Sequence, residues 1–184
     1  MRVWPVPDSY QKSLPKQGEY GSFWEHRGDR FHAGIDIFAP PGADVLSIQN
    51  GKVIDIGIFT TPEQAKYLNK SFYVTIKTPQ NLNIKYAEIG NVCVRIGDFV
   101  NAGQKIGEIV EVLNREHLSH STPHYLRQMI EQNKTSMLHL EAYIAPIAEV
   151  KPYQYGNYFG KVKPYSVVDP ALILNGTAHI SGNE

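Results

Sequence analysis

Two stretches of the chain carry residues with metal-binding chemistry. "RFHAGIDIFAPPG", Arg30 to Gly42, sets His32 and Asp36 four apart, with a glycine between them and a Pro-Pro-Gly turn behind. "MLHLEAYI" sets His139 and Glu141 two apart. Alone, each is cheap. With seven histidines and 18 acidic residues in the chain, about one His-x-x-x-acid pair arises by chance. A His and a Glu alternating on a strand read equally well as a polar outer face. Together the stretches offer two imidazoles and a carboxylate, the ligand set of a catalytic zinc site whose fourth tetrahedral position stays open to water. Zinc there acts as a Lewis acid and draws the pKa of that water toward neutrality.

Such ligands need rigid elements to hold them. Strand side chains alternate faces, so Met137, His139, Glu141 and Tyr143 share one face and Leu138, Leu140 and Ala142 face the core. His139 and Glu141 then point to solvent or into a cleft. The middle of the chain reads as β throughout. "VLSIQNGKVIDIGIF" is two alternating runs joined at Asn50-Gly51, a hairpin signal. "SFYVTIKTPQNLNIKYAEI" repeats the plan around "TPQN". "VCVRIGDFVNAGQKIGEIVEV" turns at Gly97-Asp98 and at Ala102-Gly103. Short strands with turns every eight to twelve residues predict an antiparallel sheet or sandwich.

The pattern changes between about 114 and 136, a polar stretch with three histidines. "STPHYLRQMIEQNK" has a helix start, Thr122 as cap and Pro123 at the first helical position. Tyr125, Leu126, Met129 and Ile130 follow at helical spacing. This predicts a short helical insertion just before the "MLHLEAYI" strand. The segment 1–19 is expected to be extended. Within the Tyr/Pro-rich C-terminal segment 151–184, the stretch from Lys151 to Tyr165, rich in Tyr, Pro and Gly, is expected to pack in extended form over the sheet. "VDPALIL" predicts a closing helical turn capped by Asp169.

The 184 residues suit a single domain over 1–184. Lys+Arg and Asp+Glu balance at 18 each, so no net charge pulls the chain toward nucleic acid or an anionic membrane. No run approaches the length of a membrane span. The start "MRVWPVPDSYQKSLPKQ" has no apolar signal-peptide core, so the expected compartment is the cytoplasm, or outside it for a chain trimmed of its export signal. The one cysteine, Cys93, makes no internal disulfide and reads as a small buried hydrophobe. The Asn-x-Ser/Thr matches at Asn69, Asn133 and Asn175 read as chance.

The order "HAGIDIFAPPGADVLSIQNGKVIDIG … YVTI … KYAEIGNVCVRIGDFVNAGQKIGEI … LHLEAYI … VDPALIL" resembles the lysostaphin/LytM-type zinc endopeptidases, which cut peptidoglycan peptides. The similarity runs from about Tyr20 to Asn175. It includes the H-x-x-x-D pair, the "G-x-V" hairpin, the "V-x-x-G-D-x-V-x-x-G-Q-x-I-G" stretch and the final His-x-Glu strand. "YGSFWEHR" is similar to the family's "FG.R" entry segment. The resemblance implies a mostly β, antiparallel lysostaphin-type fold (a duplicated hybrid motif), with His32, Asp36 and His139 as the three Zn2+ ligands.

Three departures from the family pattern bear on activity. Its "Y-x-H-L" is here "YAEI", so Glu88 stands where the resemblance implies a catalytic histidine. Its "H-L-H-F-E" is here "MLHLE", so Met137 replaces the first histidine of that pair. A thioether cannot move a proton. A carboxylate serves as general base in the H-E-x-x-H zinc proteases, so Glu88 is the candidate base. It cannot donate to an oxyanion unless protonated, and one missing donor costs about a hundredfold to a thousandfold in rate. The third departure is the insertion, whose His117, His120 and His124 come close before the site strand. His120 and His124 are candidates to replace a lost histidine, against a plain solvated loop and helix. His26 and His179 have no assigned role.

Three functions follow. The first is a zinc metallopeptidase acting on peptidoglycan-type or other short peptides, with Glu88 as base. The second is a non-catalytic relative serving as a zinc-binding, regulatory or peptidoglycan-binding module. The third is a swinging-arm carrier, since "VRIGDFVNAGQKIGEI" also resembles the biotinyl/lipoyl half-barrel. That class needs an exposed hairpin-tip lysine, and Lys52 at the Asn50-Gly51-Lys52 turn is the only nearby one. Substrate identity and oligomeric state are not written in the sequence.

Overall fold

The computed structural model describes residues 1–118, 122, 124–144 and 153–178, with the side chain of Tyr125 set aside. The fold is mostly β with antiparallel sheets. The strands are β1 (Phe31–His32), β2 (Ile35–Phe38), β3 (Asp44–Leu46), β4 (Gly51–Thr60), β5 (Ser71–Lys77), β6 (Asn83–Gly90), β7 (Phe99–Val100), β8 (Lys105–Ile109), β9 (Met137–Tyr143), β10 (Tyr153–Gln154), β11 (Asn157–Tyr158) and β12 (Val167–Val168). Two short α-helices accompany them among the described residues, α1 (His124–Glu131) and α2 (Ala171–Leu174). No described helix is long and apolar enough to cross a membrane.

The large sheet runs β12-β9-β6-β5-β4-β7, with β2 also paired to β9, and β8 bridging β3 and β6. A small sheet orders β1-β11-β10. The β9 strand is thus central, flanked by β2 and β6. The expected alternation along it holds. Leu138, Leu140 and Ala142 join the main apolar core with Ile35, Ile37, Ile84 and Tyr86. Each leucine buried there contributes about 1.5–3 kcal/mol relative to exposure. The opposite face is also covered, because every residue of β9 is buried. A charged pair on that face therefore has to find partners rather than water.

The β5–β6 hairpin forms as expected, with Asn81 in the left-handed region at φ 62°. Turns occur at Gly97 and Gly103, both at positive φ. The closing turn α2 is also in place, and Asp169 Oδ1 accepts the Ala171 N–H at 2.9 Å.

Three expectations are corrected. Asn50-Gly51 does not close a hairpin: β3 pairs with β8, while β4 pairs with β5 and β7. A type I′ turn needs positive φ at both central residues, and neither has it. Asn50 Oδ1 instead accepts the Ala102 N–H at 2.8 Å, tying this corner to a neighbouring turn. Lys52 lies inside β4 opposite Phe99, not at a hairpin tip, which removes the carrier reading. Cys93 is exposed, its Sγ directed at the Lys105 carbonyl, while Val94 beside it is buried. Outside these three, the segment 1–19 contains no named helix or strand, and Val3, Trp4 and Val6 within it are buried.

Candidate metal centre

His32 closes β1 and Asp36 lies in β2, two residues past Gly34. A Cβ at Gly34 would collide with the Leu140 carbonyl and lie 2.9 Å from His139 Cε1. Only glycine lets the chain between the two ligands lie this close to β9, where Asp36 pairs directly with His139. The result is a triangle of donor atoms. His32 Nε2 is 3.0 Å from His139 Nδ1 and 3.1 Å from Asp36 Oδ1, and His139 Nδ1 is 2.9 Å from the same oxygen. The side chains are buried, with residue exposures of 0% for His32, 5% for Asp36 and 3% for His139. Among the described residues this is the cluster of His, Cys, Asp and Glu that could hold a metal.

The outward atoms of both imidazoles are also fixed. His32 Nδ1–H donates to the Ser22 carbonyl at 2.8 Å, leaving the Nε2 lone pair in the triangle. His139 Nε2–H donates to Glu141 Oε1 at 2.8 Å. Histidine metal ligands carry this signature, the far N–H bound to a carbonyl or carboxylate. The two-nitrogen, one-oxygen set suits zinc.

A further ring of groups holds these partners. Glu141 Oε2 accepts the Tyr143 hydroxyl at 2.7 Å, and Oε1 accepts the Tyr153 hydroxyl at 2.5 Å. Lys85 Nζ lies 3.8 Å from Glu141 Oε2, among the rings of Phe59, Tyr73 and Tyr153. On the other side the Arg27 guanidinium donates to Asp36 Oδ2 at 2.9 Å and also pairs with Glu25. Sequence reasoning singled out neither Arg27 nor Lys85, Tyr143 and Tyr153 as site residues. The signal available was the Tyr143 position itself, on the His139–Glu141 face.

The electrostatics follow from this packing. Burial alone would push the His139 imidazolium down, but Asp36 and Glu141 outweigh it and hold it up to about 10. Burial and the Arg27 charge keep His32 low despite Asp36. Burial opposes ionisation of Asp36, yet His32 and His139 hold it well below its ordinary value. Burial likewise opposes ionisation of Glu141, but Lys85 and His139 bring it to about 2. The balance favours a protonated His139, whose Nδ1–H then faces Asp36 Oδ1 at 2.9 Å.

Glu88 is the extra residue of a bulge in β6. Phe72 pairs with Ile89 and Tyr73 with Ala87, so Glu88 has no partner across β5. Its φ is 63°, a costly conformation for a non-glycine residue that re-aims the side chain. It lines a cavity of about 230 Å³ together with Asp36, His139, Met137, Arg27 and Gly156. Its Oε2 is buried without a hydrogen-bond partner. Burial pushes this carboxyl up to about 8.

The insertion behaves as an apolar wall. Met137 packs in one cluster with Val112, Leu113 and, from α1, Leu126 and Met129. His124 is exposed at the start of α1 and does not line the cavity, and His117 is exposed in a 3-10 turn. His120 and Pro123 lie outside the described residues. The C-terminal segment closes the site from the other side. The β10–β11 hairpin turns through Tyr155 (φ 44°) and Gly156 (φ 75°), both left-handed as a two-residue type I′ turn requires. It pairs β11 with β1, setting Asn157 opposite His32.

A family model described as Peptidase family M23 matches residues 30–143, more than half of the chain. Among curated proteins none matches. The catalytic domain of the antimicrobial peptidase lysostaphin from Staphylococcus simulans is similar in structure, with a TM-score of 0.51 at 19% identity over 86% of this chain and 91% of that one. The solution structure of lysostaphin gives a TM-score of 0.51 at 18% identity, over 97% of this chain and 58% of that one. At these identities the likeness is one of fold.

Proposed function

Because the chain belongs to peptidase family M23, we propose that it hydrolyses peptide bonds with a zinc ion held by His32, Asp36 and His139. One observation carries this reading: three buried donor atoms within 3.1 Å of one another, both imidazoles locked from behind by Ser22 and Glu141. Bound there, zinc supplies Lewis acidity that polarises the scissile carbonyl and draws the pKa of a coordinated water toward neutrality.

The chain's own residues supply the rest. Glu88, ionised, takes the proton of the attacking water at its carboxylate and passes it to the leaving amine. Its bulge and positive φ hold the side chain in the cavity without a competing partner. Arg27 binds Asp36 through Oδ2 and adds to the groups that keep it a carboxylate, leaving Oδ1 for the metal. Met137, Leu126 and Met129 line one side of the cavity with apolar side chains. The cavity, about 230 Å³, is below the roughly 300–1,000 Å³ of pockets that swallow a whole ligand. It admits the bond to be cut and its nearest side chains, in keeping with a short peptide of peptidoglycan type.

A second reading, a non-catalytic relative that holds zinc and binds peptide, is favoured by Met137. Where the resemblance implies a catalytic histidine, the chain has a residue packed into an apolar cluster. Metal analysis after zinc-replete purification tests both readings, and absence of zinc from the wild-type protein would end both. Mass-spectrometric detection of cleaved stem or bridge peptides then separates them. The peptidase reading expects cleavage that falls at least a hundredfold in Glu88→Gln, and zinc without cleavage supports the binding module.

A further inference from the structure

We propose that Tyr153, on the C-terminal hairpin, is a positioning residue of the metal centre that acts on His139 through Glu141. The inference rests on the zinc reading above and adds a part of the chain outside the region matched to the family, residues 30–143.

The hairpin touches both ligand-bearing segments. At one end the Gly156 carbonyl accepts the Ala33 N–H at 2.8 Å, next to His32. At the other, the Tyr153 hydroxyl donates to Glu141 Oε1, the oxygen that also receives His139 Nε2–H. That hydroxyl has its direction set. Its oxygen accepts the Gly156 N–H at 2.9 Å and faces Lys85 Nζ at 3.4 Å, so its proton is left for Glu141. The relay runs from Gly156 N–H to Tyr153, to Glu141, to His139. A segment that only covered a sheet would present apolar groups, whereas this one places a hydroxyl on the carboxylate behind a ligand. Partners of this kind fix the tautomer and orientation of the imidazole and raise its basicity as a ligand. Their loss typically costs tenfold to a hundredfold in metal affinity.

Tyr153→Phe removes the hydroxyl and keeps the ring beside Lys85 and edge-on to Tyr143. The full chain is compared as wild type, Tyr153→Phe, Glu141→Gln and His139→Ala. Zinc dissociation constants are measured by chelator competition. The His139 Nε2 nitrogen shift is read by NMR, and melting by calorimetry on metal-free samples. The expected result is a tenfold to hundredfold weaker zinc constant in Tyr153→Phe with a displaced Nε2 shift. Glu141→Gln should lose at least as much, and the metal-free melting temperature of Tyr153→Phe should stay close to wild type. Wild-type zinc affinity and an unmoved shift in Tyr153→Phe would overturn the inference while leaving the zinc site standing. Loss of affinity that tracks a collapsed melting transition also overturns it, since Tyr153 would then act only on the fold. A wild type that takes no more zinc than His139→Ala refutes the metal reading itself.

Discussion

Gly156 lies so close to the imidazole of His139 that a Cβ on it would sit 2.6 Å from Nε2 and 2.8 Å from Cε1. The tip of the C-terminal hairpin and the last residue of the metal triangle are therefore fitted to each other. Gly156→Ala must move one of them, and its φ of 75° adds backbone strain of about 1 kcal/mol or more. The expected outcome is a melting temperature lowered by at least about 2–4 °C per kcal/mol together with weaker zinc binding. Calorimetric melting and chelator competition check it.

Metal binding should release a proton. In the metal-free protein His139 is held up to about 10 by Asp36 and Glu141 against the effect of burial, so at pH 7.5 its Nδ1 carries a proton that zinc must displace. Zinc affinity rises with pH, about tenfold per unit below 10. Calorimetry in two buffers of different ionisation heat should return about one proton released per zinc.

The same shift sets how the metal-free protein responds to pH. A group raised from 6.5 to about 10 in the fold contributes stability that is whole below about 6.5 and is lost as pH rises through 10. Glu141, lowered to about 2, contributes in the opposite sense, whole above 4.5 and lost as pH falls toward 2. Zinc-stripped protein should therefore be most stable between about 4.5 and 6.5 as far as these groups decide it. Zinc-loaded protein should lack the alkaline decline assigned to His139. Melting temperatures across pH 4 to 10, with and without chelator, measure both.

Peptide cleavage should need the ionised form of Glu88. Without metal, burial holds this carboxyl up to about 8, and a cation in the same cavity lowers it toward its ordinary 4.5. The activity profile should rise with pH along a limb centred between those values. In Glu88→Gln that limb should vanish with the activity. A persisting limb would assign the base to another group.

Met137→His tests what the apolar wall costs. The imidazole would enter a cluster of Val112, Leu113, Leu126 and Met129, where an unpaired polar group costs about 1–3 kcal/mol. The melting temperature should fall accordingly. If the missing donor limits hydrolysis, cleavage should rise by tenfold or more. A stable variant with unchanged cleavage would separate this position from the chemistry.

Much of this was legible in the chain itself. Period-two alternation put His139 and Glu141 on one face of a strand and its leucines in the core, because strand geometry allows no other arrangement. The spacing of His32 and Asp36, set beside that strand, offered two imidazoles and a carboxylate, and the family resemblance narrowed them to the three residues that form the triangle. What only the tertiary structure decided was the surroundings. The alternating face of β9 reads as outward from local pattern, yet α1 on one side and the β10–β11 hairpin on the other bury it. Glu88 stands out in the sequence through its place in the family pattern, but that it is a bulge depends on the register slip against β5, which no local pattern shows. Asn50-Gly51 carries a hairpin sequence, yet β8 and β5 outcompete the local pairing. Arg27 meets Asp36 at a sequence separation of 9, and Lys85 and Tyr153 meet Glu141, the carboxylate behind His139, at separations of 56 and 12. Contacts of that kind have no period in a sequence, because they depend on which elements pack together and not on the backbone geometry of any one of them.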